Sequence, residues 1–302
     1  MGLTEDMTET VLAILNRPSL EAEPHDPDAD AFEFAAALAE HVQILDLGVT
    51  RGDGIFETLN VTDGRPQALE AHLARLTRSA AILDLPTPDL DAWRRAIEAA
   101  CAELDPTEEA FVKTVMTRGV EGSGRPTGWV YAAPSVAHPE TRTDGIAVVT
   151  LDRGYRHDVQ RTSPWLLQGA KSLSYAVNMA ALREAKRRGA DDAVFVSTDG
   201  YVLEGPTSNV LLRRGDRLVT PRTDIGILPG TTQADVFVFA EERGLPTSYE
   251  LVTVDDLRTA DALWLVSSVR LAAPIRTVNG DAHPMDLELT AAMNDALLAR
   301  EV

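Results

Sequence analysis

Tight-turn dipeptides set the first limit on how this chain can fold. Asp63-Gly64, Asp199-Gly200 and Gly215-Asp216 punctuate short apolar runs: Ile55–Val61, Ala193–Ser197, Tyr201–Glu204, Val210–Arg213 and Arg217–Thr220. Glycine and aspartate tolerate the backbone of two-residue turns, and such turns join antiparallel neighbours. The rhythm predicts hairpins rather than a doubly wound parallel sheet. No glycine-rich dinucleotide fingerprint and no Walker lysine loop accompanies it.

Helical periodicity fills the spaces between. Leu69, Leu73, Leu76, Ala80 and Leu83 recur at helical spacing within 67–83, and Leu90, Trp93, Ile97, Cys101 and Leu104 within 88–104. Phe111–Thr117 and Trp129–Ala133 read as strands, and a further helix is expected from Tyr175 to Arg188, stopped by Gly189. Residues 21–31, acidic and proline-containing, read as an exposed loop. Asp152–Pro164 mixes charges with a Ser-Pro step and has no apolar period, which suggests an interdomain linker. This predicts a smaller N-terminal α/β domain over 1–151, a linker over 152–164 and a larger domain over 165–302.

The chain has 302 residues, 44% of them hydrophobic, enough to bury the core of one large or two medium domains. Its net charge of −19 argues against a nucleic-acid or anionic-membrane partner, because phosphates would be repelled. No apolar run reaches the roughly 20 residues of a membrane span, and Met1–Asp6 lacks the pattern of a signal peptide. A cytoplasmic protein is expected. Cys101 is the sole cysteine, so no intramolecular disulfide and no thiolate zinc site can form. His25, His41, His138, His157 and His283 stand in loop-like or ambiguous surroundings, and no pair of histidines has metal-ligand spacing on a credible helix, so no metal is expected.

Two strings concentrate chemistry: Gly169-Ala170-Lys171-Ser172-Leu173-Ser174-Tyr175, and Leu203-Glu204-Gly205-Pro206-Thr207-Ser208-Asn209 about one hairpin later. They are read as a lysine at the mouth of a helix and a carboxylate at the end of a strand. That pair suits pyridoxal phosphate: an amine for a Schiff base, an acid to keep the ring nitrogen protonated. Around it stand His72-Leu73-Ala74-Arg75-Leu76, Thr117-Arg118-Gly119, Leu228-Pro229-Gly230-Thr231-Thr232 and Val266-Ser267-Ser268-Val269. With these motifs in order from about residue 45 to 276, the chain resembles the fold-type IV pyridoxal phosphate enzymes. That superfamily holds branched-chain aminotransferases, D-amino acid aminotransferases, (R)-amine transaminases and 4-amino-4-deoxychorismate lyases.

The resemblance implies an α/β (α+β) fold of two domains, an N-terminal α/β sandwich and a C-terminal α/β pseudobarrel. It implies pyridoxal 5'-phosphate held between them, and a homodimer. Lys171 matches the Schiff-base lysine and proton carrier, and Glu204 the acid on the pyridinium nitrogen. Arg75 matches the phosphate-binding arginine, with Gly230, Thr231 and Thr232 at a helix N-terminus and Ser267 and Ser268 in a second loop as the other phosphate contacts. Thr207, Ser208 and Asn209 continue the Glu204 motif among the cofactor-binding positions. Tyr175 resembles a tyrosine that touches the cofactor's phenolic oxygen.

On the substrate side, Arg118 matches an arginine that binds the substrate carboxylate in D-amino acid aminotransferases, and lyases carry a similar Arg-Gly step. Phe56 and Val120 stand where those transaminases have a tyrosine and a histidine. Arg51 and Arg270 occupy unusual places, where each either supplies the missing positive charge or is structural. Thr58, in Phe56-Glu57-Thr58, is lyase-like. The implied reaction is transamination between a D-amino acid or (R)-amine and a 2-keto acid, so the partners are a small-molecule amino donor and a keto acid. The alternative is a lyase releasing pyruvate and 4-aminobenzoate. A non-catalytic cofactor-binding protein ranks third, since every catalytic position is filled.

Overall fold

The computed structural model describes residues 10–21, 30–106, 109–135 and 139–300. Met1–Asp6, His25, His138 and positions 22–29 of the acidic stretch lie outside the described residues. The chain divides into two compact units: Met1–Ala137 with Ala170–Ser174 and Glu301–Val302, and His138–Gly169 with Tyr175–Arg300.

The first unit contains, in chain order, β1 (Val11–Leu15), β2 (Phe32–Ala35), α1 (Leu47–Arg51), β3 (Gly54–Thr62), β4 (Arg65–Pro66), α2 (Leu69–Ile82), α3 (Leu90–Ala102), β5 (Ala110–Thr117) and β6 (Thr127–Pro134). Its strands form one antiparallel sheet in the order β2-β1-β6-β5-β3-β4. Asp63 and Gly64, at φ 51° and 68°, turn β3 into β4 as the dipeptide predicts. Ile55, Glu57, Leu59 and Val61 alternate along β3 and are all buried, and α2 packs on this strand. The periodicity that predicts α2 and α3 marks faces that are indeed inside: Leu69, Leu73, Leu76 and Ala80 on α2, Trp93, Ile97 and Cys101 on α3. Asp89 caps α3 by accepting the Ala92 N–H at 3.2 Å, and the buried Trp93 indole donates to Pro18 O at 2.9 Å.

The second unit contains α4 (Glu140–Thr143), β7 (Ile146–Asp152), α5 (Val159–Thr162), α6 (Ala176–Arg187), β8 (Asp192–Val196), β9 (Asn209–Arg214), β10 (Arg217–Pro221), α7 (Thr231–Glu242), β11 (Thr247–Glu250), α8 (Val254–Thr259), β12 (Ala262–Ser267), β13 (Leu271–Val278), β14 (Asp281–Ala282) and α9 (Leu287–Leu298). The sheet runs β11-β10-β9-β12-β13-β7-β8, with β14 on β13. Both faces are buried. Val210, Leu212, Leu263 and Leu265 point into one core, while Leu211, Trp264 and Val266 point into another that includes Phe237 of α7 and Met293 of α9. A strand covered on both faces carries an unbroken apolar run, as Ala262–Val266 does.

Two expectations change here. The hairpins about β9, β10, β12 and β13 are antiparallel, but β7–β8, β7–β13 and β10–β11 are parallel. The sheet is mixed, and α6 lies in the β7–β8 crossover. Asp152–Pro164 is not a linker between the units, because all of it belongs to the second. Asp152 ends β7, the Tyr155 hydroxyl donates to Gln168 Oε1 at 2.6 Å, the His157 ring lies 2.6 Å from Asp199, and Arg153 stacks on Phe195. The second unit accordingly starts near residue 138, since β7 pairs with β8 and β13 rather than with the first sheet.

Gly119 supplies the sharpest backbone constraint of the first unit. Its φ is +85°, and a Cβ there would sit 1.7 Å from the Arg125 carbonyl oxygen. Gly119→Ala is expected to destabilise the chain by at least about 2 kcal/mol, from left-handed strain plus a clash with backbone that cannot swing away. A urea titration with an unchanged midpoint would contradict this.

Candidate active site

The helix expected from Tyr175 begins at Ala176 as α6, and Lys171 lies ahead of it in a short extended segment of the first unit. The start of β3 faces β5 on one side, and β4 reaches only Val61 and Thr62. The remaining edge is filled by this segment, with the Phe56 N–H donating to Lys171 O at 3.0 Å and the Leu173 N–H to Gly54 O at 2.8 Å. The Lys171 N–H donates to Ser79 Oγ of α2 at 3.1 Å, and the Lys171 ammonium sits 4.4 Å from the Phe56 ring centroid. Strand pairing on one side and a helix hydroxyl on the other thus fix the lysine's backbone.

Beneath this segment is a charged cluster. Glu57, His72 and Arg75 are all buried. Arg75 donates from Nε to Glu57 Oε1 at 2.8 Å and from Nη2 to Oε2 at 2.6 Å, and His72 Nδ1 lies 2.8 Å from Oε2. Burial by itself would raise the Glu57 pKa, but the Arg75 guanidinium and His72 hold it well below the ordinary carboxylate range. Burial lowers the His72 pKa, outweighing the attraction of Glu57. Glu57 is therefore ionised and His72 neutral. An ionised carboxylate only accepts, so Nδ1 carries the imidazole hydrogen.

The three candidate substrate arginines separate. Arg118 grips Asp53 from Nε (2.6 Å) and Nη2 (3.2 Å) and also donates to Leu83 O at 2.7 Å and Asp84 O at 2.9 Å. It clamps the end of α2 to the turn before β3. Arg270 pairs at 2.5 Å with Asp192, which is fully buried, and so closes a structural ion pair in the second unit. Arg51 is exposed at the end of α1 and forms no ion pair among the described residues; its one contact is a long 3.4 Å donation to Thr50 O. The adjacent Gly52 carbonyl accepts from Ser174 Oγ at 3.2 Å, so Arg51 neighbours the Lys171 segment. Phe56 and Thr58 share the face of β3 opposite Glu57 and are half-buried.

In the second unit, Glu204 stands where the chain leaves its pairing with Phe195, and its Oε2 accepts the Leu228 N–H at 3.0 Å. The Tyr175 hydroxyl and Asn178 Nδ2 both donate to Pro206 O at 2.7 Å, orienting the tyrosine on the Glu204 loop. Thr207 is exposed, Ser208 and Asn209 are buried, and Asn209 Nδ2 donates to Leu228 O at 2.8 Å. The N-cap of α7 is Gly230, which has no side chain to close the helix end. A Cβ at Gly230 would fall 1.9 Å from Asn209 Oδ1, so glycine permits this close approach. Thr232 Oγ1 lies 3.5 Å from Ser268 Oγ, while Ser267 ends β12 opposite Leu271. Helix amides and hydroxyls gathered in this way suit a phosphate. Among the described residues, no group of acidic, histidine and cysteine side chains could hold a metal, and no helix is long and apolar enough to cross a membrane.

Glu57, Asp53 and Ser79 are the positions that sequence reasoning passed over. Glu57 had a signal. His72 and Arg75 fall on the buried face of α2, and two basic side chains turned inward require an acid on the strand beneath.

Acidification tests the cluster. Glu57 has a folded pKa below its ordinary 4.5, and His72 one below 6.5, so in each case the unfolded chain binds protons first. Each contribution to stability is complete above the ordinary pKa and is lost progressively as pH falls from that value through the lower folded one. Urea midpoints are expected to hold near neutrality and fall once pH drops below 6.5. His72→Gln should move that onset toward the carboxylate range, and an onset left in place would exclude His72 as its source.

The comparisons with known proteins agree with this geometry. Residues 54–278 match the family model for amino-transferase class IV. A bifunctional aminodeoxychorismate lyase / D-amino acid transaminase of Mycobacterium tuberculosis is 45% identical over 268 residues, covering 85% of this chain and 93% of that protein. A fold IV-transaminase structure from Curtobacterium pusillum superposes with a TM-score of 0.92 at 55% identity, over 97% of this chain and 98% of that one. The PLP-bound form of a hypothetical aminotransferase from M. tuberculosis gives 0.87 at 41% identity, over 96% and 99% of the two chains. With its lysine set on the edge of β3, its acid held by the Leu228 amide and its family motif spanning both units, the chain belongs to the class IV amino-transferases, enzymes of fold type IV.

Proposed function

We propose that this chain is a pyridoxal-phosphate-dependent transaminase that moves an amino group between a D-amino acid or (R)-amine and a 2-keto acid. The observation that carries the reading is the setting of Lys171, a half-buried amine held by β3 and Ser79 beside the Phe56 ring. The residues present fit the cofactor: a glycine-capped α7 N-terminus, hydroxyls at Thr231, Thr232 and Ser268, an anchored acid and a fixed lysine. When bound, the cofactor supplies an electron sink that acidifies the substrate's α-C–H bond. Lys171 carries the proton from the α-carbon. Glu204, its carboxylate oriented by the Leu228 amide, keeps positive charge on the ring nitrogen. Arg75 and the start of α7 would take the phosphate, and Tyr175, oriented by its hydrogen bond to Pro206 O, would stand by the cofactor's phenolic oxygen.

A second reading, aminodeoxychorismate cleavage, is favoured by Thr58 in Phe56-Glu57-Thr58 and by the M. tuberculosis relative that carries both activities in its name. Incubating the cofactor-loaded protein with a D-amino acid should convert the cofactor to pyridoxamine phosphate and release the keto acid. Aminodeoxychorismate giving pyruvate and 4-aminobenzoate, with no amino transfer from any donor, would replace transamination by the lyase reading. Lys171→Ala should abolish both products in a folded protein.

Arg51 is the guanidinium best placed to meet a substrate carboxylate, since Arg118 and Arg270 are bound to acids of their own units. Arg51→Ala should raise KM for D-amino acids about ten- to a hundredfold, the worth of one charge-assisted hydrogen bond, and leave an (R)-amine donor nearly unchanged. Arg118→Ala should lower stability and depress both donors alike. A carboxylate-selective loss in Arg118→Ala, with none in Arg51→Ala, would reverse this assignment.

The homodimer is supported by exposed apolar side chains along 38–49: Leu38, Val42, Ile44, Leu45 and Val49. Light scattering on Ile44→Asp/Leu45→Asp should show loss of the dimer, and a wild-type protein that runs as a monomer would end the proposal.

A further inference from the structure

Glu57 faces the sheet–helix interior of the first unit and is 1% exposed. Three ionisable side chains packed together away from water are poor material for stability, because apolar residues of similar volume usually serve a core as well or better. What the arrangement does provide is direction. A carboxylate that receives Nε and Nη2 of one guanidinium fixes both the plane and the rotation of that group, which a single contact would not. His72, one turn before Arg75 on α2, donates to the same carboxylate and stops it turning. Ser79, one further turn along, receives the Lys171 N–H. The same helix therefore sets both the aim of Arg75 and the backbone of the lysine.

We propose that Glu57, supported by His72, is a positioning residue that aims Arg75 at the phosphate of the cofactor. The inference rests on the reading of Arg75 as a phosphate ligand and extends it to a residue that touches no substrate or cofactor atom itself. Loss of the carboxylate leaves Arg75 charged but removes the two contacts that fix its plane. Phosphate affinity then falls while the reach of Lys171 toward an aldehyde is preserved.

The test compares two aldehydes that bind through Lys171, pyridoxal phosphate and pyridoxal, which lacks the phosphate. Affinity for each is read from the visible absorbance band formed on titration. Arg75→Gln should weaken pyridoxal phosphate relative to pyridoxal by about ten- to a hundredfold, the range of a charge-assisted contact. Glu57→Gln should shift the same ratio by about tenfold, and in an Arg75→Gln background it should shift it no further, since it acts through Arg75. Equal weakening of both aldehydes would show Glu57 to be a packing residue only, and an undiminished effect without Arg75 would equally overturn the proposal. If Glu57→Gln does not fold, the ratio is read on His72→Gln, where an unchanged ratio counts against the proposal. A wild-type protein that forms no band with either aldehyde overturns the cofactor reading itself, a result distinct from any of these.

Discussion

The first unit is organised around one carboxylate. Glu57 joins β3 to α2 through charge-assisted hydrogen bonds in the absence of competing water, and the segment bearing Lys171 is built on the same strand and helix. Such bonds are asymmetric in their energetics. Replacing the whole cluster by apolar residues would cost little, whereas stranding one buried charge by removing its partner costs about 3–5 kcal/mol. The strand and helix are therefore held in register by what separation would expose. Arg118 repeats the device at the other end of α2, tying Leu83 and Asp84 to Asp53 at the start of β3. Between these two ionic ties the helix has little room to slide.

The second unit orients the polar groups of its candidate site by other means. Glu204, Tyr175 and Asn209 are oriented by backbone amides and carbonyls, those of Leu228 and Pro206, and α7 presents its own N-terminus. These loops leave a sheet packed on both faces, whose strands cannot tilt without disturbing two cores. Backbone dipoles on so stiff a support suit the recognition of a fixed anion and a ring nitrogen, since they need no reorganisation when charge arrives. The first unit thus orients its basic groups through side-chain carboxylates, and the second orients its polar groups through backbone.

Short-range order was legible in the residues, and long-range pairing was not. The α2 and α3 faces and the Asp63-Gly64 turn follow from periods and dipeptides contained in a few residues. The parallel pairing of β7 with β8 and of β10 with β11 leaves no local mark, because a helix intervenes between the partners. Asp152–Pro164 resembled a linker since its partners Gln168, Phe195 and Asp199 lie outside the stretch itself. The helix that follows Lys171 was legible to within a residue, but the pairing of the lysine's own segment with β3, more than a hundred residues earlier, was not. The fate of Arg118 was hidden in Asp53, 65 residues earlier, and no spacing rule connects the two.

The extended stretch that carries Lys171 has a consequence for the order of assembly. Every strand of the first sheet lies before residue 135, while the piece that completes the edge of β3 comes only at Ala170–Ser174. Chains emerge N-terminus first and domains fold as they appear, so this sheet forms with one end of β3 unpaired. An open strand edge recruits other chains until it is covered. Lys171 thus arrives with the rung that closes the edge, and a chain cut short before residue 170 lacks that rung.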